Sequence, residues 1–449
     1  MILVKTDKRH ELGFREEAGN NHGLYNSQEL GNEQEAGNRQ EEGSAQKSGK
    51  RQALQTLRET AKRQQARTQA RTRQSGFHPL SEVPHETVHN FPAVLVDGAR
   101  RHGRGSVSNA SGRFEPLIRS VLDDGWESMA ELPPFKTEVV VEKPKTIISR
   151  NTSPDLEFDR SINPYRGCEH GCIYCYARPT HAYMGLSPGL DFETRLFAKD
   201  GAEKLLEREL SAPGYQPRMI AMGTNTDPYQ PIERERQIMR RLLQVLAKAR
   251  HPVGIVTKSA LVLRDLDILA PMAQQGLAKV ALSITTLDSL LARRMEPRAS
   301  TPAKRLDAVR QLVQAGVPAM VMAAPMIPAL NDHEMEQILE KAAAAGATEA
   351  GFILLRLPLE LRDLFREWLL EHYPGKLRHV LSLVQSTRNG KDYDARFGFR
   401  QTGEGTYAEL MAKRFHVACQ RLGLNRKRRS LRCDLFVRPV REGAQLTLF

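Results

Sequence analysis

The feature that most constrains the fold of this chain is an alternation, from about residue 155 onward, of short apolar runs with longer amphipathic stretches. The short runs have the length of buried strands, and the longer stretches have the apolar periodicity of surface helices. We therefore predict six strand–helix units, whose strands lie at residues 156–162, 218–222, 253–256, 279–284, 319–323 and 351–355. Strands that alternate with helices form a parallel sheet with right-handed crossovers, so the predicted class is α/β.

Three cysteines follow the first predicted strand. Cys168, Cys172 and Cys175 fall within eight residues, with the spacing C-x3-C-x2-C. A cubane iron–sulfur cluster is normally held by four cysteine thiolates, so three would leave one iron open to a small molecule. A zinc site of the three cysteines with His170 is the alternative. A disulfide is disfavoured, because the chain has five cysteines in 449 residues and no visible signal peptide or membrane-spanning apolar run.

This spacing, with Tyr174 immediately before the last cysteine, resembles the signature of the radical S-adenosylmethionine (SAM) superfamily. The resemblance implies a [4Fe-4S] cluster on Cys168, Cys172 and Cys175, with SAM chelated at the open iron through its amino and carboxylate groups. It implies reductive cleavage of SAM to methionine and a 5′-deoxyadenosyl radical, with Tyr174 in the same catalytic loop. It also implies a TIM-like partial (β/α)6 barrel, which agrees with the six strand–helix units.

The carboxyl ends of three predicted strands are unusually polar. They are residues 223–230 (GTNTDPYQ), 257–259 (TKS) and 283–286 (SITT). Parallel barrels collect their chemistry at this end of the strands, so we expect hydroxyl, amide and ammonium groups here to bind SAM. Capping of the following helices is the alternative.

Four further segments resemble the branch that contains spore photoproduct lyase and related proteins described as DNA repair photolyases. They are residues 163–168, 226–231, 295–305 and 323–328. By this resemblance, the cofactor-binding residues are Tyr174, Thr226, Asp227, Lys258, Ser283, Glu296, Arg305 and Ala324. Ala324 falls beside the expected adenine site, and Glu296 and Arg305 are expected to pair near the cofactor. An ordinary salt bridge or helix cap is the alternative for each.

One departure separates this chain from spore photoproduct lyase. That enzyme returns a hydrogen atom to its product through a cysteine just before its Thr-Ser-Asp segment, whereas residues 222–227 here contain no thiol. Tyr174, Tyr176 and Tyr229 are candidate hydrogen relays in its place. Repair of spore photoproduct itself is therefore not predicted.

The formal net charge of +13 and a sequence pI near 9.6 favour a polyanionic partner such as nucleic acid. A generally basic surface is the alternative. Residues 1–75 are polar and predicted to be disordered, and they include a basic arm at 47–73. Near the C-terminus, a second basic cluster is predicted to contact a phosphate backbone through Arg426, Lys427, Arg428, Arg429 and Arg432.

The last five residues, 445–449 (QLTLF), resemble the pentapeptide by which bacterial DNA polymerases and repair proteins dock on the replication sliding clamp. Gln445 offers amide hydrogen bonds, and Leu446, Leu448 and Phe449 are apolar anchors. A final strand packed on the rest of the protein is the alternative. The clamp interpretation makes DNA a better substrate prediction than RNA and implies a bacterial cytoplasmic protein.

Together these features predict a radical SAM enzyme of lyase type that repairs or modifies a damaged DNA base, with electrons from an external donor. The same chemistry on RNA or a peptide is one alternative. A non-catalytic adaptor that binds the clamp and nucleic acid and carries a structural metal is another. The predicted organisation is a disordered tail at 1–75, an extension at 76–150, the partial barrel at 151–375, a small α-rich basic module at 376–441 and the clamp-binding peptide at 442–449.

Overall fold

The computed structural model describes residues 95–116, 119 and 133–440. The predicted disordered tail at 1–75, with its basic arm, lies outside the described residues, and so does the predicted clamp peptide at 442–449. Within the described part of the chain, no helix is both long enough and apolar enough to cross a membrane.

The described residues contain ten strands in two sheets. In chain order the strands are β1 (Glu138–Val141), β2 (Ser149–Arg150), β3 (Arg160–Ile162), β4 (Tyr165–Arg166), β5 (Arg195–Ala198), β6 (Ile220–Met222), β7 (Val253–Thr257), β8 (Ala278–Ser283), β9 (Ala319–Met326) and β10 (Glu349–Leu354). The main sheet has the order β10-β9-β8-β7-β6-β3-β2. Its first six strands run parallel, and β2 is antiparallel at one edge. The predicted α/β fold with a parallel sheet is confirmed.

Nine helices longer than one turn accompany these strands in the described residues. They are α1 (Ala202–Leu210), α2 (Ile238–Lys248), α3 (Leu266–Gln274), α4 (Ser289–Met295), α5 (Pro302–Gln314), α6 (Met335–Ala344), α7 (Leu361–His372), α8 (Leu377–Ser386) and α9 (Thr406–Leu422). Shorter helical pieces lie at Arg178–Met184, Asp191–Thr194, Glu233–Arg236, Ala260–Asp265, Asp332–Glu334 and Pro374–Lys376.

One long helix that the apolar periodicity indicates, at residues 231–250, is divided in the structure. Gln237 has a φ of 49°, a left-handed conformation that ends the first turn before α2 begins. The Glu233 carboxylate then accepts hydrogen bonds from Met239 N (3.1 Å) and Arg240 N (3.4 Å). It thereby satisfies amide groups that have no partner within the first turn of α2.

The second sheet, which the sequence pattern did not predict, leads into the cysteine loop. β1 pairs in parallel with β5, and β5 pairs antiparallel with β4. β4 ends at Arg166, just before Cys168. These strands are two to four residues long and β1 is largely exposed, so neither length nor apolar alternation marks them in the sequence.

Apolar side chains pack on both faces of the main sheet. In β8, Val280 and Leu282 belong to the large core shared with the helices, whereas Ala281 belongs to a smaller cluster. Successive residues of a strand point to opposite faces, so the smaller cluster marks the face away from the helices. Its buried members are Phe158, Ala221, Ala281, Met320, Met322 and Ile353.

The chain after α9 crosses the amino ends of the strands. Asn425 N donates to the Thr348 carbonyl just before β10, at 2.9 Å. Further along, Arg432 N donates to the Gly276 carbonyl before β8, also at 2.9 Å. Val437 then reaches the residues before β7 through a 2.9 Å bond to the Ala249 carbonyl. We call residues 425–437 the amino-end strap.

Candidate active site

The three cysteines lie in a buried loop after β4. Cys168 and Cys172 are each 7% exposed, and Cys175 is partly buried. Cys168 N donates to the Phe192 carbonyl (2.9 Å), and Cys175 N donates to the Cys172 carbonyl (3.2 Å). Cys175 packs against the apolar cluster of Cys168 and also against that of Cys172. The loop thus brings the three side chains into one neighbourhood.

Burial controls the ionisation of these thiols. It raises the pKa of Cys172 to about 12, against the opposing effect of the Lys258 ammonium. Burial also raises the pKa of Cys168 well above its usual range, and negative charge on Asp227 and on the other two thiols raises it further. Both thiols are therefore protonated near neutral pH, so a metal that binds them must displace their protons.

Two kinds of metal site come into question at the three thiols. Among the residues that the structure describes, no three cysteine, histidine, aspartate or glutamate side chains gather around one ion position. A tetrahedral zinc would draw its sulfur ligands to within roughly 4 Å of one another. Each thiolate of a cubane cluster binds its own iron instead. His170, the alternative zinc ligand, has Nδ1 3.3 Å from the Asp227 carboxylate. The donor set fits a cluster better than a single zinc.

A fully buried ion pair between Arg178 and Glu193 anchors the cysteine loop. The Arg178 guanidinium donates to the carbonyl of Cys172 at 2.9 Å. It also donates to the carbonyls of Pro188 (3.1 Å) and Gly189 (2.9 Å). One side chain thus connects the loop to the start of the following helical turn and β5. Neither Arg178 nor Glu193 was predicted from the sequence to belong to the site.

The segment before β1 also contributes to the loop. The Glu193 carboxylate accepts hydrogen bonds from Gly105 N (2.9 Å) and Ser106 N (2.8 Å). A Cβ at Gly105 would lie 1.8 Å from the carbonyl oxygen of Gly171, which is inside the cysteine loop. Only glycine allows the two backbones to approach so closely. This part of the N-terminal extension is therefore built into the site.

A cavity of about 140 Å³ opens beside the cysteine loop, at the carboxyl ends of β6 to β10. Its described lining is mostly apolar, with two cationic side chains, Lys258 and Arg356, and no carboxylate. The lining residues are Cys172, Tyr174, Cys175, Tyr176, Gly223, Thr224, Val256, Lys258, Ser283, Met322, Ala324, Pro325, Ile353, Leu354 and Arg356. This position is typical of a ligand site in a parallel α/β protein.

The predicted site residues divide into two groups around this cavity. Those that line it are Cys172, Tyr174, Cys175, Lys258, Ser283 and Ala324. Those that lie behind the lining are Cys168, Thr226, Asp227, Glu296 and Arg305. The residues of the second group form hydrogen bonds with neighbouring protein groups.

The Asp227 carboxylate is hydrogen-bonded to protein groups at the ends of β6 and β7. Its Oδ1 accepts hydrogen bonds from Thr257 Oγ1 (2.7 Å) and Tyr229 N (2.9 Å), and its Oδ2 accepts one from Lys258 N (2.8 Å). Burial alone raises the pKa of Asp227, but His170 and these hydrogen bonds outweigh it and lower the pKa to about 2. Asp227 therefore ties the end of β6 to the end of β7.

Thr226 has a similar structural position. It is 3% exposed, and its hydroxyl donates to the Tyr165 carbonyl (3.0 Å) in β4. This bond connects the loop after β6 to the strand that precedes the cysteines.

Tyr174, Glu296 and Arg305 form a buried polar chain. The Tyr174 hydroxyl donates to the Glu296 carboxylate and lies 3.1 Å from Thr285 Oγ1. Glu296 forms an ion pair with Arg305, and each side chain is 1% exposed. Arg305 Nη1 donates to the Ser283 carbonyl at the end of β8 (2.9 Å). The expected pair between Glu296 and Arg305 is present, and it holds Tyr174 against the end of β8.

The two cations of the cavity stand over tyrosine rings. Lys258 Nζ is 5.6 Å from the centroid of the Tyr174 ring, and the Arg356 guanidinium is 4.4 Å from that of Tyr176. Burial lowers the pKa of Lys258, but Cys172 in its thiolate form and the Glu296 carboxylate outweigh it and raise the pKa above its ordinary value. Lys258 is therefore charged near neutral pH, and the cavity is cationic.

The turn after β6 requires a glycine. Gly223 has a φ of 86°, and a Cβ there would lie 2.0 Å from the Val256 carbonyl oxygen. Because Gly223 and Val256 both line the cavity, this close approach of β6 and β7 shapes its wall.

The three candidate hydrogen relays differ in their access to the cavity. Tyr174 and Tyr176 line it. The hydroxyl of Tyr176 donates to the Thr224 carbonyl. Tyr229 is fully buried, does not belong to the lining, and donates to the Asp265 carboxylate at 3.1 Å.

The basic cluster predicted to contact phosphates lies in the amino-end strap, at the opposite ends of the strands from the cavity. Arg428 pairs with Glu157 (3.0 Å), and Arg432 pairs with Asp434 (2.6 Å). Arg429 N donates to the Glu349 carboxylate at the start of β10 (3.2 Å). A phosphate backbone bound along Arg426, Lys427, Arg428, Arg429 and Arg432 would therefore lie at the other end of the strands from the cavity.

Comparison with known proteins places this geometry in context. Residues 162–342 match the family model for the Radical SAM superfamily. An uncharacterised protein of Mycobacterium tuberculosis is 39% identical over 221 residues, which are 49% of this chain and 65% of that relative's length. An uncharacterised protein of Methanocaldococcus jannaschii is 29% identical over 199 residues, 44% of this chain and 71% of the relative. The structure of spore photoproduct lyase complexed with dinucleoside spore photoproduct is similar at 17% identity and a TM-score of 0.48, over 64% of this chain and 80% of that one.

Proposed function

We propose that residues 162–342, which match the Radical SAM family model, form a radical SAM domain, and that this protein cleaves SAM reductively to start hydrogen abstraction from a nucleic-acid substrate. The radical SAM family uses a [4Fe-4S] cluster and SAM. The observation that carries the proposal is a loop with three neighbouring thiols beside a cationic cavity at the carboxyl ends of the parallel strands.

Cys168, Cys172 and Cys175 would hold the cluster, and an external donor would supply electrons. When bound, the cluster would supply the electron for cleavage of SAM to methionine and a 5′-deoxyadenosyl radical, and that radical would take a hydrogen atom from a substrate carbon. The substrate C–H bond breaks, and a C–H bond forms in 5′-deoxyadenosine.

The side chains that line the cavity are assigned to SAM. Lys258 matches the SAM carboxylate in charge, and Ala324 offers a small apolar surface for the adenine. The Ser283 hydroxyl donates to the Ala324 carbonyl (3.0 Å), so its oxygen is left to accept a hydrogen bond from SAM. Val256, Met322 and Ile353 form the apolar remainder of the wall. An apolar wall excludes water, which protects a reactive intermediate from side reactions.

The buried predicted residues are assigned to positioning. Asp227 and Thr226 fix the loop after β6, which contributes Gly223 and Thr224 to the cavity. Glu296 and Arg305 fix Tyr174 against the end of β8. Their substitution would alter SAM binding through these contacts.

The proposed substrate is DNA that carries a damaged base, and the proposed reaction is of lyase type. Three features support a polyanion: the net charge of +13, the cationic cavity and the absence of a carboxylate from its described lining. A base inside a duplex would have to be extruded to reach the cavity. Because the segment before Asp227 has no thiol, Tyr174 and Tyr176 are the proposed hydrogen relays in the cavity wall.

Docking on a bacterial sliding clamp through Gln445, Leu446, Leu448 and Phe449 is also proposed, on the sequence pattern alone. Immobilised clamp should retain the full-length chain and lose the Leu446→Ala/Phe449→Ala variant. Equal retention of both proteins would contradict the docking proposal.

The substrate proposal is tested by release of 5′-deoxyadenosine from the reconstituted protein with SAM and dithionite. We expect ultraviolet-irradiated DNA to increase the release rate more than intact DNA does. If RNA or a peptide pool increases the release rate more than DNA does, RNA or a peptide is the substrate class instead of DNA. The SAM-cleavage proposal would be unaffected.

A further inference from the structure

An exposed aromatic surface lies between α8 and α9, outside the site described above. We call residues 396–400 (RFGFR) the aromatic loop. Phe397 is 56% exposed and Phe399 is 40% exposed. The Arg400 guanidinium lies 4.8 Å from the Phe397 ring centroid, and the Arg396 guanidinium lies 4.8 Å from that of Phe399. Neighbouring apolar rings on a surface are typical of a binding site.

Hydrogen bonds hold the aromatic loop next to the two outer strands of the parallel series, β10 and β3. Arg388, which is fully buried, donates to the carbonyls of Phe399 (2.6 Å) and Leu355 (3.0 Å), just after β10. On the other side, Gly398 N donates to the Asp155 carboxylate (2.7 Å), in the segment before β3. The rings are therefore displayed by a held backbone, so their exposure is not a consequence of a loose loop.

The aromatic loop adjoins the cavity. Leu354, which lines the cavity, donates from its backbone N to the Gln401 carbonyl (3.0 Å), directly after the loop. Arg356, also in the lining, stacks over Tyr176. Within the described residues Arg356 has no ion-pair partner, whereas Arg396 is paired with Asp394. Arg356 is thus a cation of the cavity wall that is free to contact a phosphate.

Exposed aromatic rings next to arginine are the chemistry that binds single-stranded nucleic acid. Bases of any sequence stack on such rings, and guanidinium groups add cation–π and phosphate contacts. The amino-end strap, with its basic cluster, crosses the opposite ends of the strands, and none of its residues lines the cavity. Its Arg428 pairs with Glu157, two residues from the Asp155 that holds the aromatic loop.

We propose that the aromatic loop and Arg356 bind the single-stranded nucleotides that flank the reacting one, with bases on Phe397 and Phe399 and a phosphate on Arg356. This proposal rests on the proposed nucleic-acid function. It assigns the substrate contact to the cavity side of the protein instead of the amino-end strap.

The test is fluorescence anisotropy of the full-length protein with a fluorescein-labelled single-stranded thymidine oligonucleotide. Phe397→Ala/Phe399→Ala should weaken binding at least ~5-fold per ring, while Phe397→Trp/Phe399→Trp should retain it. Arg356→Gln should lower the slope of log affinity against log salt by about 0.7, the value expected for one lost phosphate contact.

Two variants serve as controls. Leu410→Ala/Val417→Ala removes similarly exposed apolar side chains, 51% and 54%, from α9. Arg426→Gln/Lys427→Gln removes charge from the amino-end strap. Both should bind the oligonucleotide within about 2-fold of wild type, as expected for surface changes of below ~0.5 kcal/mol.

The outcomes separate the two proposals. If wild type binds and the Phe397→Ala/Phe399→Ala variant binds equally well, the aromatic loop has no such role, and the nucleic-acid function stands. If binding is lost in the Arg426→Gln/Lys427→Gln variant instead, the strap is the contact surface. If wild type binds no oligonucleotide, both the aromatic-loop proposal and the nucleic-acid function are overturned.

Discussion

Substitution of Arg178 by methionine tests whether the buried ion pair positions the cysteine loop. The change keeps an apolar chain of similar length but removes the guanidinium from Glu193 and from the carbonyls of Cys172, Pro188 and Gly189. The Glu193 carboxylate, which is fully buried, would keep only its two backbone donors. We expect lower stability and poor iron loading.

The magnitude follows from the burial of both partners. Removing one member of a buried ion pair costs about 3–5 kcal/mol, because the other charge is left uncompensated. Against a total stability of about 5–15 kcal/mol this is a large fraction. With an m-value of about 3 kcal/mol/M, the urea midpoint should fall by about 1 M or more. Arg178→Met/Glu193→Gln, which removes both charges, should lose less stability than Arg178→Met alone.

The assay combines urea unfolding with iron determination after anaerobic reconstitution. The double variant should recover stability but not iron, because Cys172 still lacks its donor. Arg218→Met, which breaks a pair with Asp159 in which the arginine is 67% exposed, is the matched control and should cost less than ~1 kcal/mol. A wild-type midpoint and wild-type iron content in Arg178→Met would refute the positioning role.

Three further predictions concern single residues. Cys172→Ala should reduce reconstituted iron from about four per chain to a small fraction of that, whereas Cys419→Ala should keep it; equal loading would contradict the ligand assignment. Gly223→Ala should lower both the urea midpoint and the SAM affinity measured by calorimetry, because the added Cβ would lie 2.0 Å from the Val256 carbonyl oxygen. A wild-type SAM affinity would show that the turn tolerates the methyl group. Burial lowers the pKa of His251 to about 4. The unfolded chain therefore binds this proton from about pH 6.5 downward, so stability should fall by up to ~3 kcal/mol between pH 6.5 and 4. His251→Gln should flatten that part of the urea-midpoint profile, and an unchanged profile would assign the acid sensitivity to other groups.

The features that were predictable from the sequence depend on the spacing of residues that are close together in the chain. Alternating apolar runs gave every strand of the parallel series, because burial on both sides of a parallel strand leaves a continuous apolar segment. The C-x3-C-x2-C spacing marked the cysteine loop, and Lys258 and Ser283 were found because they directly follow or end strands. Strand ends in a parallel sheet share one edge, so their position follows from the topology.

The features that were missed depend on contacts between distant residues. Gly105 and Glu193 are 88 positions apart, and no periodicity connects them. The side of the sheet on which the basic cluster lies depends on where the chain goes after α9, and charge composition does not encode that path. Whether a polar side chain at a strand end faces a ligand or its own loop is decided by packing, as Asp227 illustrates.

The most direct test of the central claim is the formation of 5′-deoxyadenosine. The full-length protein is reconstituted anaerobically with iron and sulfide, reduced with dithionite and incubated with SAM, and the products are separated by chromatography. We predict 5′-deoxyadenosine and methionine from wild type and neither from Cys172→Ala. A protein that instead carries one tightly bound zinc per chain and leaves SAM intact would contradict the account.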